Sequence, residues 1–171
     1  MEFHEVIKGR YSCRSYRAQE VPQEALDACI EAFVLAPTAA NRQPFGLVIL
    51  KTTGRSQELS RVYSPAWFHS QPPLVLAVCA DMEQAWSRRQ DGLTYAMVDA
   101  AIAMDHLILA AFEQGLGTCW IAAFDPDQAR KVLALPENVE PIALTPLGYA
   151  ADKPKVKLRK PAEELVHWER W

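Results

Sequence analysis

Helices with apolar stripes alternate with short runs that are apolar throughout, which predicts one domain of mixed α and β structure. Three observations carry the prediction. Residues 45–50, 73–80 and 141–149 are nearly continuous apolar runs of strand length, as expected of strands covered on both faces. Residues 94–114 are apolar on nearly every side over a length that only a helix explains. The chain has 171 residues and is 50% hydrophobic, enough for a sizeable core without disulfides or metal.

The elements follow in order. Phe3, Val6 and Ile7 fall at helical spacing, and Gly9 ends that first helix. Pro22 suits the first turn of a second helix. Leu26, Ile30, Phe33 and Val34 form its stripe, and the helix stops at Ala36 before Pro37. Residues 45–50 are the first strand. Residues 54–62 are polar and helical in pattern. Pro65-Ala66-Trp67-Phe68 reads as an irregular aromatic stretch, either a lid over a ligand or packing filler. Residues 73–80 are the second strand, and residues 83–91 form a charged loop that carries Trp86.

In the long helix, Met97, Ala101, Met104, Ile108 and Ala111 make a near-heptad stripe. Apolar character on all sides predicts burial on all sides, which in so short a chain points to a partner helix from a second copy. Asp99, Asp105 and His106 interrupt this surface. His106 reads either as a catalytic group or as a hydrogen-bonded interface histidine. Gly115-Leu116-Gly117 closes the helix and leads into a third strand at 118–123. Asp125-Pro126-Asp127 caps a helix running through Leu133. Residues 141–149 are the fourth strand. The last residues, from about 150, form an extended C-terminal arm. Its Leu165, Val166, Trp168 and Trp171 are too apolar for a free end, so it should wrap onto something.

Composition excludes several classes. A net charge of −3 argues against nucleic-acid binding. The N-terminus, Met1-Glu2-Phe3-His4-Glu5, lacks the apolar segment of a signal peptide. The most apolar region is broken by Asp105 and His106, so no membrane span is expected. Cys13, Cys29, Cys79 and Cys119 are far apart, which predicts neither a metal centre nor disulfides but a reduced, cytoplasmic protein. The lone G-x-G ends a helix rather than opening one, so it is not a dinucleotide fingerprint.

Two stretches carry candidate chemistry. Arg10, Ser12 and Arg14 alternate, so in extended backbone all three point to one side. Two guanidinium forks and a hydroxyl suit a phosphate; the same pattern also describes a solvated basic turn. Pro37-Thr38-Ala39-Ala40-Asn41-Arg42-Gln43-Pro44-Phe45 holds Thr38, Asn41 and Gln43 between two prolines. Their side chains both donate and accept, as the edge of a heterocyclic ring requires, and they equally suit a surface turn. Late in the chain, Lys157 and Arg159 alternate in the same way as the early arginines.

Together these pieces resemble the FMN-dependent nitroreductase family in its small form, in order and over nearly the whole chain. Arg10-Tyr11-Ser12-Cys13-Arg14 is similar to the family's R-x-S-x-R opening. The stretch from Pro37 to Phe45 is similar to its P-[ST]-x-x-N-x-Q-P-[WF] element. Gly115-Leu116-Gly117-Thr118-Cys119-Trp120-Ile121-Ala122-Ala123-Phe124 resembles G-L-G-T-x-W-I-G-x-F, and Leu147-Gly148-Tyr149 with Lys157 and Arg159 resembles its L-G-Y and late basic pair.

The resemblance implies an α+β three-layer sandwich around a mainly antiparallel sheet, one FMN-binding domain over residues 1–171. It implies a homodimer with exchanged C-terminal arms and two FMN molecules at the interface. Arg10, Tyr11, Ser12 and Arg14 would hold the phosphate and ribityl end, joined by Lys157 or Arg159. Pro37, Thr38, Ala39, Asn41 and Gln43 would come from the other subunit, and Trp120, Ile121, Ala122 and Ala123 would line one ring face. A backbone N–H near Ala122 or Ala123 would stabilise charge on the reduced ring. Ala122 stands where glycine is usual, and it would be strained if that position needs φ > 0.

The implied activity is ping-pong hydride transfer from NADH or NADPH through FMN to a nitroaromatic, quinone or similar acceptor. No side chain is assigned as acid or base. Tyr63, Trp67, Phe68 and Trp86 are candidates for the acceptor pocket. The competing readings are an FMN carrier or sensor without turnover, and a flavin-free interaction domain.

Overall fold

The strand Leu74–Asp81 (β2) is buried along nearly its whole length because helices cover both of its faces. It belongs to a computed structural model that describes all 171 residues. The other elements are α1 (Phe3–Gly9), α2 (Gln23–Val34), β1 (Phe45–Lys51), α3 (Ser56–Val62), α4 (Ala66–His69), α5 (Ala96–Glu113), β3 (Gly117–Thr118), α6 (Pro126–Leu133) and β4 (Val139–Gly148). Short 3-10 turns lie at Ala39–Asn41 and Ala162–Glu164. The sheet order is β1-β2-β4-β3, with every neighbouring pair antiparallel.

Strand side chains alternate between the two faces, and β2 shows what each face meets. Leu74, Leu76, Val78 and Ala80 pack with Ala25, Cys29 and Phe33 of α2 and with Ala100, Met104 and Leu107 of α5. Val75, Ala77 and Cys79 pack with Leu59 and Val62 of α3, Phe68 of α4 and Ala129 of α6. The result is an α+β sandwich: helices, an antiparallel sheet, helices. No helix is long and apolar enough to cross a membrane.

Three local expectations are corrected. The third strand is only Gly117–Thr118, with a separate bridge from Ile121 to Leu144. Between them the Cys119 N–H donates to the Thr145 hydroxyl at 3.1 Å instead of to a backbone carbonyl, which interrupts the ladder. Residues 65–68 are not irregular: Ala66–His69 forms a single helical turn, and its Phe68 is fully buried. In α5 the buried face is Ala96, Asp99, Ala100, Ala103, Met104, Leu107, Ile108 and Ala111, which takes in Met104, Ile108 and Ala111 of the stripe that starts at Met97 but not Met97 or Ala101. Met97 and Val98 are exposed. When every face is apolar, size decides which one packs, and the alanines let the helix approach closely. The arm leaves Leu165, Val166, Trp168 and Trp171 exposed on the single chain.

Gly117 sits opposite Gly148 in the β3–β4 pair. A Cβ on Gly117 would lie 2.9 Å from both Cβ and Sγ of Cys13 and 3.3 Å from Cβ of Ala150. Glycine here admits the N-terminal segment to the sheet edge. Gly117→Ala should therefore cost about 1–3 kcal/mol of stability by overpacking, read as a lower denaturant midpoint. An unchanged midpoint would show that the segment does not pack this tightly.

Candidate functional site

Residues 10–16 run along the sheet edge in extended form. Ser12 bridges Thr118 in parallel, and the Cys13 N–H donates to the Thr118 carbonyl at 2.8 Å. Tyr16 bridges Ala150, and the Ala151 N–H donates to the Ser15 carbonyl at 2.8 Å. The segment is thus held between β3 and the start of the C-terminal arm. Cys13 and Tyr16 are buried, while Arg10, Tyr11, Ser12 and Arg14 reach a cavity of about 260 Å³. From the other end of the chain, Lys153, Lys155, Lys157 and Arg159 line the same cavity, with Asp152. Basic residues 149 positions apart in the chain therefore share one space.

Asp152 was not singled out from sequence, yet it ties the two ends together. Its carboxylate accepts from the Arg14 N–H at 2.9 Å, the Tyr11 hydroxyl at 3.1 Å and the Cys13 thiol at 3.1 Å. The Tyr11 hydroxyl also reaches the Asp152 carbonyl at 2.9 Å. Burial alone would raise the Asp152 carboxyl, but these hydrogen bonds outweigh it and hold it below its usual value. Burial first, then the Asp152 charge, pushes Tyr11 up to about 12. Chiefly burial pushes Cys13 up to about 11. Both remain protonated donors at neutral pH. A lone aspartate in a basic arm carries no sequence signal of its own; only the topology brings it to Tyr11 and Cys13.

The cations are poorly compensated. None of Arg10, Arg14, Lys153, Lys155, Lys157 or Arg159 has a carboxylate within 4 Å as an ion-pair partner. Lys157 donates instead to the carbonyls of Lys8, at 2.8 Å, and Arg10. Burial, then the charges of Arg10 and Arg159, lower its ammonium below the usual lysine value. Arg14 also reaches over the Trp67 ring, 6.0 Å from its centre, linking the cavity to α4.

The loop around Asn41 does not line this cavity. Ala40, Asn41 and Gln43 all have φ near +50°, a region that non-glycine residues seldom occupy. Thr38 Oγ1 accepts from the Gln43 N–H at 3.1 Å, and Gln43 Nε2 donates to the Asn41 carbonyl at 3.0 Å. Asn41 and Gln43 are exposed, as is Pro37.

Trp120, Ala122 and Ala123 are exposed, whereas Ile121 is buried. The Ala122 and Ala123 amides make no backbone hydrogen bond. Ala122 is not among the residues with positive φ, so alanine is unstrained there. Of the aromatic pocket candidates, Phe68 belongs to the core, stacked edge-on against Tyr63 at 5.3 Å. Trp86 packs edge-on against Tyr95 at 5.2 Å. Tyr63 and Trp67 are half-buried. His106 lines an apolar groove with Met1, Phe3 and Leu109 rather than the basic cavity.

An α+β sandwich with a basic cavity at the sheet edge defines the class, and comparison with known proteins gives the family. A model described as the Nitroreductase family matches residues 7–81 and 55–149. The chain is 32% identical to the FMN reductase (NAD(P)H) of Bacillus subtilis strain 168, over 97% of this chain and 74% of that protein. It is 27% identical to the NADH dehydrogenase of Thermus thermophilus, over 93% of this chain and 92% of that one. The crystal structure of a nitroreductase family protein from Clostridium difficile 630 superposes with a TM-score of 0.91 at 35% identity, over 100% of both chains. The chain belongs to the nitroreductase family.

The lowered Asp152 carboxyl makes a pH prediction. A carboxyl held below its unfolded value contributes stability above that value, and loses it as pH falls through the folded one. Asp152→Asn should be less stable than wild type at about pH 7, with the gap closing toward about pH 3. Urea midpoints at both pH values test this; a constant gap would show that the charge contributes nothing.

Proposed function

We propose that this chain is an FMN-dependent NAD(P)H oxidoreductase, acting as a cytoplasmic homodimer on nitroaromatic, quinone or similar acceptors. The observation that carries the reading is the meeting of two basic clusters, from the two ends of the chain, in one cavity with no ion-pairing carboxylate. Like charges held together are stabilised by an anion placed among them, and a phosphomonoester carries about −1.5 to −2. Arg10, Ser12 and Arg14, with Lys157 or Arg159, would hold that phosphate, while the Tyr11–Asp152 hydrogen bond fixes the floor. At about 260 Å³ the cavity is below the ~300–1,000 Å³ of pockets that enclose a drug-sized ligand. It suits the head group and its polyol, with the ring outside.

The bound cofactor would supply two-electron hydride acceptance and release. The chain's own part is to bind, orient and shield. The exposed Ala122 and Ala123 amides are free donors for negative charge on the reduced ring. Trp120 and Ile121 would flank its face. The relatives named for FMN and NAD(P)H support the choice of cofactor and donor. Four free, buried cysteines support a reducing compartment.

The second protomer is supported by exposed apolar surface. Met97 and Val98 of α5 line a shallow face with Ala101 and Ile102. Val156, Leu158, Trp168 and Trp171 on the arm are nearly fully exposed. Surfaces of this kind mark interfaces. Through them the partner would bring Thr38, Asn41 and Gln43 to the flavin. Light scattering should give twice the 19.2 kDa chain mass, and Ile102→Glu should give a monomer. A monomeric wild type would remove the shared site.

The functional test is spectroscopic. Purified protein, soaked in FMN if colourless, should show flavin absorbance that bleaches under anaerobic NADH or NADPH and returns with a nitroaromatic. Absorbance that never bleaches would leave only a flavin carrier. Arg14→Ala and Arg159→Ala should each weaken FMN binding about 10- to 100-fold, since a hydrogen bond to a charged group contributes about 1.5–3 kcal/mol. Unchanged affinity in both would sink the phosphate assignment.

A further inference from the structure

Asp99 lies in the first turn of α5, 1% exposed. Its Oδ1 accepts from the Ala39 N–H at 2.9 Å, and its Oδ2 has no partner. A buried carboxylate with one hydrogen bond is costly, so its retention needs a reason. The reason lies at the other end of that bond. Loop 38–43 is otherwise bonded almost wholly to itself: Asn41 N–H to the Thr38 carbonyl, Arg42 N–H to the Ala39 carbonyl, Gln43 N–H to Thr38 Oγ1, and Gln43 Nε2 to Asn41. Its one other bond to the rest of the fold is from Arg42 to the Gln84 carbonyl, at 3.5 Å, the outer limit for a hydrogen bond.

Three non-glycine residues in left-handed backbone, Ala40, Asn41 and Gln43, persist only where surroundings over-determine them. Internal bonds fix the loop's shape. They do not fix its direction. Beyond its far end the Pro44 carbonyl accepts from the Asp81 N–H at 2.8 Å; at its near end the short bond to Asp99 ties the loop to α5. The same helical turn exposes Met97 and Val98 on its outer side.

We infer that Asp99 is a positioning residue: it orients the Thr38–Asn41–Gln43 face through the Ala39 N–H and makes that face move with α5. The flavin consequence rests on the function proposed above; the tether itself does not. A carboxamide keeps an acceptor oxygen and an alanine keeps none, so the variants separate geometry from charge.

Two readouts test the tether. In cofactor-free protein, hydrogen exchange over residues 38–43 should speed up about tenfold in Asp99→Ala and far less in Asp99→Asn, with the sheet unchanged. In FMN titrations, Asp99→Ala should weaken binding about tenfold, with Asp99→Asn restoring most of it. Should Asp99→Ala fail to fold, Ala39→Pro removes the donor from the other side. Thr38, at φ −137° and ψ 157°, already has the backbone that precedes proline. Ala39→Pro should then weaken FMN binding as Asp99→Ala would. Wild-type protein that binds no FMN would defeat the functional reading and leave the exchange test standing. Unchanged exchange and unchanged affinity in the variants, beside a wild type that binds FMN, would overturn the inference alone.

Discussion

The site depends on how one extended segment is held. Residues 12–16 are bonded to Thr118 on one side and to residues 150–152 on the other. With both sides occupied the segment has little freedom of register. A one-residue slip would turn Cys13 outward and Arg14 inward. Burial of Cys13 against the bare Cα of Gly117 makes that slip costly. Apolar packing on one side of the segment thus dictates where the charges on the other side must point.

That placement opposes the electrostatics. Six cations line the cavity and one carboxylate, Asp152, stands among them. Exposed charges repel weakly, roughly 1 kcal/mol or less at contact in water, and more where solvent is thinned. Burial first, then repulsion from Arg10 and Arg159, lowers the Lys157 ammonium. Asp152 answers it only in part, because its oxygens are taken by a backbone N–H, a phenol and a thiol rather than by a guanidinium. It acts as a structural hinge-pin more than as a counter-ion. This division of labour leaves the cationic forks free for another anion.

Much of this was legible in the chain. Alternation in Arg10-Tyr11-Ser12-Cys13-Arg14 places Arg10, Ser12 and Arg14 on one side, because period 2 follows from extended backbone alone, and all three line the cavity. The apolar runs gave β1, β2 and β4 for the same kind of reason. What stayed hidden depends on contacts between distant residues. Thr145, which breaks the third strand, is 26 residues from Cys119. Asp152 is 138 residues from Arg14. The stripe in α5 overlaps the buried face only at Met104, Ile108 and Ala111, because hydropathy cannot rank faces that are all apolar. Asp99 looked like an interruption of that surface, and it is instead among its most buried positions.

Within one chain the two halves of the motif set do not meet: the basic residues line the cavity, while the loop at 38–43 lines none of it. One flavin touched by both would require a second copy. A two-fold axis solves this economically, because an isologous contact that gives one cavity a loop gives the other cavity the same loop. Helix α5 is the element able to carry such a contact. Its inner face is bound to the sheet, its outer face is apolar and exposed, and its first turn grips the loop through Asp99. A helix fixed on both sides transmits position with little loss, since packed elements shift as units. Dimer formation and loop placement would then be a single event, and a flavin site assembled this way would be complete only when both copies are.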